Sequence, residues 1–80
     1  MLEIPKGVYY MKSMKDIYDL LKQYGTFIYT RDRLGDVLLM EDEIRELYKA
    51  KVLEPRDFQS AMLILRQEAS KLERQEKNIQ

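Results

Sequence analysis

The stretch "PRDFQSAMLILRQEASKLERQEKNI", residues 55–79, predicts one long helix and decides the fold. Pro55 suits the first position of a helix, because the N–H that proline lacks would have no intrahelical partner there. A set of side chains then recurs at alternating steps of four and three residues, the heptad spacing of a helix with one buried face: Phe58, Met62, Leu65, Ala69, Leu72, Glu76 and Ile79. At 1.5 Å per residue, a helix from Pro55 to about Lys77 is about 35 Å long.

An unbroken apolar run, from Met62 to Leu65, lies inside this helix. Such a run covers more than one side of a helix. The helix is therefore either the central element of a bundle or in contact with a second copy of the chain. Leu63 and Ile64 are the candidate contact residues for self-association or for a helical partner. Glu76 occupies a core position of the heptad and weakens the last turn of any such seam.

Two amphipathic helices are predicted before this long one. Ser13 is a suitable N-cap, and Asp16 three residues later approximates a capping box. The apolar face of this first helix recurs at helical spacing and comprises Ile17, Leu20, Leu21 and Tyr24. Gly25 follows at the position where a left-handed residue commonly ends a helix.

The second helix is expected to start after Asp32, with Asp36 in its first turn, where a negative charge suits the helix dipole. Its apolar stripe recurs at helical spacing and comprises Val37, Met40, Ile44 and Leu47, widened by Leu34, Leu38 and Tyr48. Tyr48 and Phe58 are expected in the core. The predicted fold is all-α, a small three-helix bundle with a long C-terminal helix, spanning residues 13–77. Residues 1–12 form a flexible N-terminal extension and residues 78–80 a frayed tail.

The segment "YGTFIYTRDR", residues 24–33, joins the first two helices and is open to two interpretations. In the first it binds nucleic acid. Tyr29 stacks on unpaired bases, Arg31 and Arg33 bind phosphates with paired hydrogen bonds, and Thr26 and Thr30 add hydroxyl donors.

In the second interpretation the same segment fills a thin core. Extended backbone alternates its side chains, which sets Phe27 and Tyr29 on one side and Ile28 and Thr30 on the other. Large rings pointing inward would then complete the packing, and the zero net charge favours this interpretation. "TFIYT" also has β-propensity and is able to pair with "GVYY" near the start. We expect an extended loop instead, because a lone two-stranded ribbon is marginal.

Composition excludes several kinds of function. The 80 residues allow one domain and contain no cysteine and no histidine, which rules out a Cys/His zinc site and a histidine-based triad. Fourteen basic and fourteen acidic side chains weigh against a strong non-specific duplex binder. Asp42 and Glu46 share a helical face, and two such carboxylates are able to bind a hard cation such as Mg²⁺; a solvated, ion-paired face is the expectation here. No metal, cofactor, catalytic residue, membrane span or signal peptide is predicted, and the cytoplasm is the expected location.

Three motifs occur close together and in order: "YGTFIYTRDR", "LMEDEIRELYKAKVL" and "FQSAMLILRQE". In this the chain resembles the YqgQ family of short bacterial proteins, over roughly residues 14–75. The resemblance implies a small all-α, three-helix fold in the cytoplasm of Gram-positive bacteria and no established reaction. Single-stranded nucleic-acid binding is a suggestion for such proteins, and no site residue follows from the resemblance.

These observations favour a small binding protein over an enzyme. The leading expectation is weak, largely sequence-independent binding of single-stranded RNA or DNA through Tyr29, Arg31 and Arg33, with Thr26 and Thr30. The alternative is a protein–protein adaptor or self-associating helical protein that uses Leu63 and Ile64 and has no nucleic-acid role.

Overall fold

A computed structural model describes residues 11–77 of the chain, with side chains as far as Gln75. These residues form helix α1 (Met14–Gln23), helix α2 (Arg33–Lys49) and helix α3 (Pro55–Lys77), and they contain no strand. The predicted all-α, three-helix fold with the longest helix at the C-terminus is confirmed. The stretch "TFIYT" has no regular structure, and "GVYY" lies outside the described residues.

Helices α2 and α3 form an antiparallel hairpin. At one end the ring of Tyr48 stacks on that of Phe58, with centroids 4.3 Å apart and planes 14° from parallel. Near the other end Arg33 Nη2 lies 3.0 Å from Glu68 Oε2. Helix α1 packs against α3, so α3 is the central element of the bundle.

The core is built mainly from the predicted apolar stripes of the three helices, although Tyr24, which was predicted on the stripe of α1, lies just beyond that helix and is exposed. Its buried members are Met11, Ile17, Leu20, Leu21, Val37, Met40, Ile44, Leu53, Ala61, Met62, Leu65, Ala69 and Leu72. Phe58 and Leu47 are partly buried against this cluster. Of the predicted heptad, the side chain of Glu76 and the whole of Ile79 lie outside the described part of the chain.

The stripe of α2 is narrower than the sequence pattern predicts. Leu38 is exposed, and so is Tyr48, which was expected in the core. The ring of Tyr48 instead lies at the surface and stacks on the partly buried Phe58. Because α3 is the main neighbour of α2, only one face of α2 is covered.

The start of α1 differs in detail from the predicted capping box. Ser13 is the N-cap residue, but its hydroxyl makes no capping bond. The Asp16 carboxylate accepts a hydrogen bond from the backbone N–H of Lys12 at 2.8 Å. Met11, one residue earlier, is buried in the core. The packed domain therefore begins at or before Met11, and residues 1–10 and 78–80 lie outside the described range.

Helices α1 and α2 end in the same hydrogen-bonding motif, with a residue of positive φ just beyond the helix. Gly25 (φ 78°) donates to the carbonyl of Lys22 at 3.0 Å, and Thr26 donates to Leu21 at 2.9 Å. The predicted left-handed cap at Gly25 is confirmed.

At the end of α2 the corresponding residue is Lys51 (φ 63°), which donates to Tyr48 at 3.0 Å. Val52 donates to Leu47 at 2.9 Å. The chain then turns into α3 with Leu53 buried.

None of the helices in the described part of the chain combines the length and the hydrophobicity that a membrane span requires.

Candidate nucleic-acid interface

The connection between α1 and α2, residues 26–32, is termed the aromatic loop below. It leaves α1 at the Gly25 cap and reaches α2 at Asp32, which is the N-cap residue as predicted. A Cβ atom at Gly35 would lie 2.8 Å from Asp32 Oδ2. The carboxylate of the N-cap residue therefore occupies the space beside Gly35 in the first turn of α2.

The rings of the aromatic loop point outward. The side chain of Ile28 packs against the core, whereas Phe27 is 74% exposed and Tyr29 81% exposed. The predicted alternation of side chains is present, but the expectation that both rings fill the core is wrong. The anchor is Ile28, the β-branched residue between them. Both large rings therefore remain available at the surface.

A buried carboxylate holds the far end of the loop. Asp36 is 4% exposed, and its Oδ1 accepts hydrogen bonds from the N–H of Thr30 at 2.9 Å and from its hydroxyl at 2.5 Å. A buried carboxylate without donors would be costly. The Thr30 hydroxyl is thus engaged inside the protein, not directed at a ligand as the sequence suggested. We call this contact the Thr30–Asp36 latch.

The two arginines of the predicted interface have different surroundings. Arg33 is exposed, but its guanidinium pairs with the Glu68 carboxylate of α3 at 3.0 Å. Arg31 is exposed, makes no ion pair within the described residues, and has a positive φ of 71°. Of the two guanidinium groups predicted to bind phosphates, only that of Arg31 is therefore without an ion pair among the described residues.

A groove opens between α1 and the aromatic loop, and we call it the loop groove. Its volume is about 180 Å³, and its lining consists of Tyr18, Leu21, Lys22, Thr26, Phe27, Ile28 and Tyr29. Of the predicted contact residues, it brings Thr26 and Tyr29 together. Sequence reasoning missed Tyr18 and Lys22 because they belong to a helix. Their spacing of four residues, which sets them on one face, was the available signal.

The charges next to the groove are partly compensated. The pKa of the Asp19 carboxyl lies below its ordinary value, chiefly because Lys15 donates a 2.8 Å hydrogen bond to it. The positive charge of Lys22 contributes in the same direction. The Lys15 ammonium correspondingly has a raised pKa. Asp19 is paired with Lys15, and Lys22 makes no ion pair with any side chain described within residues 11–75.

The two residues predicted to mediate self-association also differ in their exposure to solvent. Leu63 is 59% exposed, whereas Ile64 is partly buried against the core. Beside Leu63 lies a shallow cleft of about 300 Å³ lined by Arg45, Phe58, Gln59, Met62, Leu63 and Arg66. Arg45 is held by Glu41 and Asp42 at 3.2 and 3.1 Å. Leu63 alone therefore presents a large apolar side chain on the outer side of α3.

The two acidic side chains of α2 that were considered for a cation are both ion-paired. Asp42 contacts Arg45 at 3.1 Å, and Glu46 contacts Lys49 at 3.2 Å. Among the described residues, no three or more Asp, Glu, His or Cys side chains are grouped as a metal site would require. The solvated, ion-paired face expected from the sequence is the arrangement observed.

The chain is similar to known proteins over most of its length. A family model described as YqgQ-like matches residues 11–71. A relative from Bacillus subtilis (strain 168), named "Uncharacterized protein YqgQ", is 34% identical over 58 residues, which make up 72% of this chain and 82% of the relative. No solved structure matches the chain significantly. The range matched by the family model includes the aromatic loop, the loop groove and Leu63.

Proposed function

The chain belongs to the YqgQ-like family, and from that premise we propose that it binds single-stranded RNA or DNA through the aromatic loop. The observation that carries the proposal is the outward orientation of Phe27 and Tyr29, which are 74% and 81% exposed. Burying a ring of this size is worth about 1.5–3 kcal/mol. Two adjacent rings left in water therefore form a surface that a stacking ligand would cover.

Bases stack on exposed aromatic side chains with about 1–3 kcal/mol per base, and the interaction tolerates every base because each has a π face. Arg31 lies two residues from Tyr29 and supplies a cation for the phosphate of a stacked nucleotide. Binding by so few groups is weak and largely independent of sequence. The zero net charge of the chain limits the affinity expected of such binding, since strong non-specific binders neutralise many phosphates.

The proposed role is binding without catalysis, and its proposed location is the bacterial cytoplasm. Absence of cysteine suits a reducing compartment. The matched relative comes from a bacterium. The acidic side chains of α2 that sequence reasoning considered for a cation are paired with Arg45 and Lys49.

The test is a titration of a labelled single-stranded oligonucleotide, as DNA and as RNA, at low and moderate salt. Tyr29→Ala and Phe27→Ala are each expected to weaken binding about fivefold or more through lost stacking. Arg31→Gln is expected to weaken it and to flatten its dependence on salt. Leu63→Ala and Arg56→Gln are matched controls, because they remove an exposed apolar side chain and an exposed guanidinium away from the loop.

Wild-type protein that fails to bind either oligonucleotide at low salt would refute the proposal. So would equal affinities of the three loop variants and the wild type, once circular dichroism has shown that all are folded.

A second candidate function is self-association or binding of a partner helix on α3. It is favoured by Leu63, a large apolar side chain that is 59% exposed beside a cleft. Sedimentation equilibrium over a range of concentrations tests it. Self-association that Leu63→Glu abolishes supports this function, and a monomer at all concentrations removes self-association from consideration.

A further inference from the structure

The loop groove has the shape and chemistry of a site for one planar ring. We infer that it accepts a single unpaired nucleobase of a bound strand, with Lys22 at its rim contacting the adjoining phosphate. This inference rests on the proposed function and adds a subsite to it. The outer faces of the two exposed rings suffice for stacking, whereas the groove receives a base inserted between α1 and the loop.

The lining favours an aromatic occupant. Tyr18, Phe27 and Tyr29 contribute rings, and Leu21 and Ile28 contribute aliphatic surface. The Thr26 side chain is the small polar member of the lining. With so few hydrogen-bonding groups, the groove is expected to take any base of suitable size, because stacking needs only a π face. A volume of about 180 Å³ suits one ring system rather than a stacked pair.

The groove is held in shape without a ligand. At one end of the loop Thr26 donates to the carbonyl of Leu21 at 2.9 Å. At the other end the Thr30–Asp36 latch fixes the backbone with a 2.9 Å hydrogen bond. Ile28 anchors the middle of the loop to the core. A preformed site loses little conformational entropy on binding, which helps an interface with few contacts.

The charge at the rim complements a nucleotide. Lys22 lines the groove and has no carboxylate partner in the described part of the chain, since Asp19 is hydrogen-bonded to Lys15. The loop groove is apolar and has one unpaired ammonium at its edge. This combination matches a base that carries a phosphate. A purely apolar ligand would leave Lys22 unused, and an anionic peptide would leave the ring slot unused.

The first experiment fills the groove without removing a ring or a charge. Thr26→Leu adds bulk to the wall, while Ser70→Leu is the matched control that adds a leucine at an exposed position of α3 outside the groove. We expect Thr26→Leu to weaken binding of a labelled ten-nucleotide thymidine strand at least about fivefold, the loss of one stacked base. Ser70→Leu should bind as the wild type does. Retained binding by a folded Thr26→Leu protein that Tyr29→Ala still weakens would overturn the inference and leave the proposed function intact.

The rim charge has its own readout. Lys22→Gln is expected to reduce the slope of log affinity against log salt by about 0.7, the value for one phosphate of a single strand. Lys49→Gln makes the same charge change at the far end of α2 and should leave the slope unchanged. Equal slopes for Lys22→Gln and the wild type would remove the phosphate contact from the inference.

A measurement on unmodified protein covers the case in which Thr26→Leu fails to fold. Leu21 and Ile28 carry methyl groups and line the groove, whereas Ile44 lies in the core and does not line it. Adding the thymidine strand should shift the NMR signals of Leu21 and Ile28 and leave Ile44 in place. Unshifted Leu21 and Ile28 signals at saturating strand would overturn the inference. Shifts of these signals with protein concentration alone would overturn it too, because they would identify a second copy as the occupant.

Discussion

The two connections between helices begin alike and end differently. Each starts from a left-handed residue just past a helix, Gly25 or Lys51, with the same pair of backbone hydrogen bonds. The connection after α2 buries Leu53 to 3% exposure, whereas the connection after α1 exposes Phe27 and Tyr29. One connection therefore contributes to the core. The other is attached by Ile28 and the Thr30–Asp36 latch, and its large side chains are left for contacts outside the protein.

A substitution in the buried connection after α2 should cause the greatest loss of stability. Leu53→Ala should reduce the free energy of unfolding by about 2–5 kcal/mol, because it leaves a cavity in the core. Ile28→Ala should cost less, since Ile28 is only partly buried. Urea unfolding followed by circular dichroism measures both. A loss for Leu53→Ala no larger than that for Ile28→Ala would contradict the distinction between the two connections.

Removing the Thr30–Asp36 latch, which holds the aromatic loop, should cause a smaller loss of stability. Asp36→Ala removes the acceptor of both Thr30 hydrogen bonds and should cost about 1–3 kcal/mol in the free energy of unfolding. Asp42→Ala is the matched control on the same helix, because its carboxylate is exposed and contributes one surface ion pair, worth about 0–1 kcal/mol. Equal losses in urea unfolding would show that the latch adds nothing to stability.

The shared backbone motif can be tested by exchanging its residue types. Gly25→Ala should lower the free energy of unfolding by about 1 kcal/mol, because a side chain at positive φ is strained. An added Cβ at Gly25 would meet no atom within 4 Å, so the loss reflects backbone conformation alone. Lys51→Gly relieves the same strain and should raise the free energy of unfolding by up to about 1 kcal/mol. A midpoint temperature of thermal unfolding that shifts in the same direction for both substitutions would refute this account.

Substitutions of the exposed rings in the aromatic loop should change the stability of the protein least. Phe27→Ala and Tyr29→Ala should each change the free energy of unfolding by less than about 0.5 kcal/mol, as exposed positions usually do. Their effect is expected in oligonucleotide binding instead. A loss of more than about 1 kcal/mol in urea unfolding would mean that the rings support the core and would weaken the proposed function.

The aromatic loop shows where reasoning from sequence reached its limit. Extended backbone with alternating side chains was foreseeable for "TFIYT", and that alternation is present. Which side of the loop faces the core depends on the position of the neighbouring helices, and no local pattern encodes it. The same limit applies to Arg33 and Glu68, an ion pair between residues 35 positions apart, and to the groove that joins Tyr18 and Lys22 to the loop.

Local sequence patterns were enough to predict the three helices and most of the core, because helical periodicity, capping and the left-handed position after a helix are properties of neighbouring residues. Tertiary structure alone decided which apolar side chains stay in water. Helix α3 packs against both other helices and leaves Leu38 and the rings of Phe27 and Tyr29 exposed. The ring of Tyr48 stacks on Phe58 of α3 and still lies at the surface. Exposure depends on the whole packing arrangement, and the candidate binding surface therefore became visible only with the fold.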